Sequence, residues 1–216
     1  MKGDQVRVNA QLIDTDSGAL ALKALALDPD YTWPHDIKGD ILRTQGRAEE
    51  AVAENERALA LDPSNMVAAG DLGFDYERLG EFDKSIEYFD KAIRASPHDP
   101  TLTYWLGSKA AATFALKNYD QAIELARRTI AINPNYVPWA HTFLVAALAL
   151  TGHDAEAREA LQRYLALPTS GPLKTIAAWK ALTESQHGDL RYVEEHERMY
   201  DGLRKAGMPE GEAKTN

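Results

Sequence analysis

Apolar residues along this chain gather in short runs that each close on a polar residue and a proline, and the runs return. Ala24-Leu25-Ala26-Leu27-Asp28-Pro29 reappears 34 residues later as Ala58-Leu59-Ala60-Leu61-Asp62-Pro63. Another 34 brings Ala92-Ile93-Arg94-Ala95-Ser96-Pro97. Thr129-Ile130-Ala131-Ile132-Asn133-Pro134 follows after 37, and Tyr164-Leu165-Ala166-Leu167-Pro168 after 34 more, its proline one place early. A fixed period of this size marks an array of repeated supersecondary units. Residues 32–65 show what one unit holds. A first helix is predicted over 34–44, stopped by Gly46, and a second over 48–61, ending ahead of Pro63, because proline disfavours helix at the residue before it. Gly39, Ala51 and Ala58 are small where two antiparallel helices must meet. The plan recurs with Leu72, Gly73, Phe82 and Phe89, then with Leu106, Gly107, Tyr119 and Ala122, then with Trp139, Leu144, Leu148 and Leu161. Three extra residues between Gly107 and Tyr119 predict a first helix about one turn longer in residues 98–134.

Composition agrees with helices. The 34 alanines far outnumber the 14 glycines, and alanine loses no side-chain entropy in a helix. The expected fold class is all-α. On these spacings and residues, 17–168 resembles the tetratricopeptide repeat family, which implies a right-handed superhelical stack of helix-turn-helix hairpins. The units are a half repeat at 17–31 and repeats at 32–65, 66–97, 98–134 and 135–168.

The ends read differently. Val6, Val8, Ala10 and Leu12 alternate with polar residues, so 1–16 is expected to be strand-like or disordered. Thr169-Ser170-Gly171-Pro172 reads as a turn. Residues 169–207 are expected to form capping helices, the second starting at Asp189 and turning Tyr192, Val193, His196, Met199, Tyr200 and Leu203 to one face. A stack needs a polar outer face at its end, and Glu194-Glu195-His196-Glu197-Arg198 is expected to supply it. Residues 208–216 read as a flexible tail. The stretches GDQVRVNAQLIDTDSGA and MYDGLRKAGMP also resemble the TolB-like and carboxy-terminal repeat regions of bacterial class III cyclase or winged-helix regulators.

Charge and motif content narrow the function. With 24 Lys+Arg against 33 Asp+Glu, the formal charge of −9 argues against a nucleic-acid binder. The chain has no cysteine, hence no disulfide framework or thiol nucleophile. No apolar run nears a membrane span and the first residues lack an apolar leader, so a cytoplasmic location without membrane partners is expected. The six histidines form no HExxH, and neither a phosphate-binding glycine loop nor a nucleophile elbow occurs. No catalytic, cofactor or metal role is therefore expected.

A stack of hairpins leaves a long concave face for binding. The family resemblance puts its groove positions at Trp33, Asp36, Ile37, Asp40, Arg43 and Thr44 in the first full unit. In the second they fall on Val67, Gly70, Asp71, Phe74, Glu77 and Arg78. Tyr104, Trp105 and Ser108 continue the row, with Trp139 and His141 after them. Chaperone-tail clamps of this family need Lys, Asn and Arg here, whereas Asp36, Asp40 and Asp71 would repel a carboxylate. Aromatics beside acids instead suit a protein or peptide partner with basic residues, although Trp33, Phe74 and Trp105 could equally pack between repeats. The expected function is a non-enzymatic interaction scaffold. The likeness of the two ends leaves a second reading, a regulatory fragment acting in trans on a cyclase or transcription-regulator domain, and the amino-terminal segment leaves homo-oligomerisation open.

Overall fold

The computed structural model describes residues 19, 20, 23, 27, 28, 30–98, 101–135 and 138–211. The alternating segment at 6–12 and residues 212–216 lie outside them. Ala19, Leu20, Lys23 and Leu27 are helical. Ten α-helices follow, and the described residues contain no strand. They are α1 (Thr32–Thr44), α2 (Ala48–Leu61), α3 (Met66–Arg78), α4 (Phe82–Ala95), α5 (Leu102–Ala115) and α6 (Tyr119–Ile132). Then come α7 (Pro138–Leu150), α8 (Asp154–Ala166), α9 (Ile176–Glu184) and α10 (Leu190–Ala206). A short 3-10 turn at Pro168–Ser170 separates α8 from α9.

The first eight helices form four hairpins. Each turn between the helices of a pair takes three residues and needs one left-handed backbone, supplied by Gly46 (φ 75°), Gly80 (φ 65°), Lys117 (φ 62°) and Gly152 (φ 85°). Asn65 caps α3, its side chain accepting hydrogen bonds from the amides of Val67 and Ala68. The first helices α1, α3, α5 and α7 pack on one another in sequence; α2, α4 and α6 each wedge between two of them, and α8 packs on α7 and α10. The result is a superhelical stack whose concave side is lined by first helices.

Aligning the first helices on their last residues, Thr44, Arg78, Ala115 and Leu150, shows how each hairpin closes. Gly39 abuts Asn55 and Gly73 abuts the Phe89 ring, where an added Cβ would come within 2.6 Å of either neighbour. The equivalent position in α5 is Ala110, which is fully buried. This corrects the expected length of α5. It has 14 residues against 13 for α3, because Gly107 is not the counterpart of Gly73; most of the extra chain lies before α5, between Ala95 and Leu102.

The carboxy-terminal helices depart further from expectation. Asp189 caps α10 by accepting from the Tyr192 amide, but Glu195 and His196 are buried, not part of a polar outer face. The 3.6-residue period explains why: Tyr192, Glu195, His196, Met199, Tyr200 and Leu203 form a single stripe, and that stripe faces inward. Gly202 lies against the backbone of Ala146 in α7, where a Cβ would meet the Ala146 Cα at 2.6 Å. The tail is also corrected over 208–211. Met208 is buried, and the carbonyls of Pro209 and Glu210 accept from the amides of Ile176 and Ala177 at 2.9 and 2.8 Å. Those amides open α9 and have no partner within it.

Candidate functional site

The concave face begins at α1 with Tyr31 and Trp33, both about half exposed, their ring centroids 6.4 Å apart. Trp33, Val67, Tyr104 and Trp139 hold the same place in successive first helices, twelfth from the last residue. Tyr104 meets Phe74 edge-on at 4.9 Å and Trp139 at 5.0 Å. Arg43 lies over Phe74 at 5.5 Å. A ladder of Arg43, Phe74, Tyr104 and Trp139 thus crosses four helices, one rung from each.

Acids gather at the α1–α3 end, largely around Arg43. Its guanidinium pairs with Asp40, contacts Asp71 at 3.4 Å and donates to Asp75 at 3.0 Å. Asn55 donates to the other oxygen of Asp75 at 2.7 Å. Asn65 donates to both Asp36 oxygens at 3.0 and 3.3 Å. Burial raises Asp71, with repulsion from Asp40 and Asp75 adding to it, and lifts Asp75 to about 6. Burial raises Asp36 too. Five carboxyl groups (Asp36, Asp40, Asp71, Asp75, Glu77) face two guanidinium groups (Arg43, Arg78) along this wall.

Ile37 and Ser108 sit at equivalent positions in α1 and α5, the first half-buried and the second buried. Two other expected groove residues face elsewhere. Trp105 is 4% exposed and packs on Gly70 between α3 and α5. It follows Tyr104 by one residue, which rotates it about 100° around the helix. His141 lies on the far side of α7, its Nε2 2.9 Å from the Pro134 carbonyl and burial lowering its pKa. Both positions come from the disturbed register of their units.

The trough is roofed over its second half. The segment from His187 through α10 runs past the ends of the first helices in turn. His187 abuts Gly46, and the Asp189 amide donates to the Arg78 carbonyl at 2.8 Å. Then three cations spaced seven residues apart bond to carbonyls ending three first helices. Arg191 donates to Leu79 at 3.3 Å, Arg198 to Ala115 at 2.7 Å and Lys205 to Ala149 at 2.6 Å. Seven helical residues rise about 10 Å, close to the spacing of packed helices, so one helix face meets successive repeats in step. Helix carboxy termini carry partial negative charge, which favours those cations.

Under this roof lies a cavity of about 240 Å³, walled by Phe74, Tyr104, Trp139 and Phe143 of the stack and by Trp179, Tyr192 and His196 of the roof. Arg78 closes one side, donating to Gln186 and lying 4.6 Å over the Tyr192 ring. Burial alone would lower His196, but Glu195 with an oxygen 2.6 Å from Nδ1 raises it instead. Glu77 also lines the cavity, 9% exposed, and among the described residues its carboxyl group makes no hydrogen bond or ion pair. Burial pushes it to about 7. The roof residues had a signal in the sequence, since Glu195 and His196 fall in the apolar stripe of α10.

A tetratricopeptide repeat profile matches residues 64–135, and a second matches 36–65. Residues 36–135 carry tetratricopeptide repeats. Solved structures extend the likeness of fold beyond them. The type IV pilus biogenesis factor PilW is 18% identical over 92% of this chain and 90% of its own, with a TM-score of 0.70. Pseudomonas aeruginosa pilF is 18% identical, covering 94% and 90%, with a TM-score of 0.64. YrrB, described as a tetratricopeptide repeat protein with an unusual peptide-binding site, is 20% identical over 86% and 90%, at 0.59. The search of curated proteins finds no match. None of these comparisons supports the likeness of the two ends to cyclase or winged-helix regulators. Among the described residues no three His, Asp or Glu side chains converge on a metal site, and no helix is long and apolar enough to cross a membrane.

Proposed function

We propose that this chain is a non-enzymatic interaction scaffold whose concave face holds a basic segment of a protein partner. The fold of helical repeats is suited to a scaffold. The finer reading is carried by α10: the trough is already occupied by a helix bearing Arg191, Arg198 and Lys205, laid along the ends of successive repeats. That helix is neutral overall, with four Lys+Arg against four Asp+Glu, but it turns these three cations toward carbonyls at the ends of first helices. A partner with similarly spaced cations would meet the same chemistry where the trough stays open. Among the described residues that open part is over α1 and α3, with Trp33 exposed and Asp40 half exposed. The description of YrrB as having a peptide-binding site is in keeping with this use of the fold.

Fluorescence anisotropy with labelled dodecapeptides tests the reading. Lys/Arg-containing peptides should bind and their Glu-substituted versions should not, with affinity falling as salt rises. The combined change Asp36→Asn, Asp40→Asn and Asp71→Asn should weaken binding about tenfold, a loss of roughly 1.4 kcal/mol. Equal affinity for both peptide sets, or no effect of the triple variant, would count against it.

A further inference from the structure

The cavity between the stack and its roof contains a buried carboxyl group with no directly bonded partner among the described residues. Arg78 is engaged by Gln186 and the Tyr192 ring, and His196 contacts Glu195. Glu77 is buried among these groups and bonded to none of them. A buried carboxylate is costly unless a cation or donors satisfy it, and here Arg78, His196 and Arg43 act on it only from a distance, with no donor among the described residues bonded to it. Phe74, Tyr104 and Trp139 stand along the same cavity, and the faces of such rings attract cations. Its volume, about 240 Å³, falls below the roughly 300–1,000 Å³ of a typical cofactor or drug site. It suits a guest of side-chain size.

We propose that this chamber receives the cationic head of one arginine or lysine side chain, seated with its stem against Phe74, Tyr104 and Trp139 and its charge on Glu77. The proposal rests on the basic-segment reading and gives that segment an anchor residue. It also gives the roof a role in recognition, because Trp179, Tyr192 and His196 complete the enclosure.

Small probes test the chamber apart from the groove. Trp139 and Trp179 line it, so their fluorescence in the full chain should change saturably with n-butylguanidinium or n-butylammonium. Neutral n-butylurea, nearly the same shape as the first, should bind at least tenfold more weakly. Glu77→Gln should abolish that preference, with circular dichroism confirming that the variant folds. The proposal is overturned if butylurea binds the unaltered protein as well as the cations, if neither cation saturates at tens of millimolar, or if the folded Glu77→Gln variant still prefers cations. Which cation binds better tells arginine from lysine as the anchor. Failure of the groove reading looks different: dodecapeptides would not bind while butylguanidinium did. Conversely, a basic peptide bound equally well after each Lys or Arg is replaced singly by norleucine would keep the groove and remove the anchor.

Discussion

Replacing Glu77 by glutamine removes a buried charge that nearby cations offset only in part, and stability should register it. The group titrates at about 7 in the folded chain against an ordinary 4.5. Between those values the unfolded chain has released the proton while the folded chain keeps it. Stability therefore falls as pH rises through that window and levels off above it. At about 1.4 kcal/mol for each tenfold change in proton affinity, the gap amounts to about 3 kcal/mol. The charged groups facing Glu77 are Arg78, Glu195, His196 and Arg43, and all remain in the variant. Asp75, lifted to about 6, contributes the same slope to both proteins. Urea unfolding followed by circular dichroism at pH 4.5, 6 and 8 gives the two curves. Relative to the parent, Glu77→Gln should gain about 3 kcal/mol between pH 4.5 and 8, whatever constant offset the amide introduces. Parallel curves would refute the reasoning, since they would mean that Glu77 already has a partner or reaches water. A gain at pH 8 accompanied by lost cation binding would mark a site whose function is held at the expense of stability.

Other perturbations bear on the roof. Arg198→Ala should cost about 1–2 kcal/mol, because it leaves the last turn of α5 without its hydrogen bond; Arg191→Ala and Lys205→Ala, at more exposed sites, should cost about 0.3–1 kcal/mol each. Hydrogen exchange should quicken locally at the ends of α5, α3 and α7 respectively, and uniform protection would deny the capping role. Gly202→Ala should destabilise by about 1–3 kcal/mol, reversing the gain of about 1 kcal/mol expected for alanine within a helix, since its Cβ would meet the Ala146 backbone at 2.6 Å. A thermal melt that rises in this variant would show that α10 does not cross α7 so closely.

The repeat was legible because its determinants are local: a proline ending each second helix, a glycine turn, and small residues at contact points. The concave ladder was partly legible for the same reason, as Arg43, Phe74 and Tyr104 keep the register of their helices. Trp105 and His141 show where that logic stops. Counting forward from Gly107 carries the register three residues away from the position that Ala110 occupies, and a helix turns about 100° with each residue of error. The unit's end, marked by the left-handed Lys117, was the safer anchor, but no glycine announces it. The roof was less legible still. Amphipathic patterning says that α10 buries a face but not which surface receives it, and folding back over the trough is a long-range choice. The clue lay in the heptad of Arg191, Arg198 and Lys205, whose meaning needs the spacing of the repeats.

That heptad separates two jobs within one helix. A cap only has to shield the apolar edge of the last hairpin, and the second half of α10 does so with Met199, Tyr200, Leu203 and Ala206, all buried. Its first half buries Tyr192, Glu195 and His196 instead. The Glu195 carboxylate is buried, with one oxygen 2.6 Å from the neighbouring imidazole. Apolar residues at these positions would stabilise the packing more, so edge-shielding gives no reason for the charges there. They lie over Glu77 and the aromatic ladder, where a closed apolar contact would have left no chamber. On the proposal above, the stack and the first half of the roof would be the two walls of one binding site, and the second half, packed on α7, the clamp that holds them together.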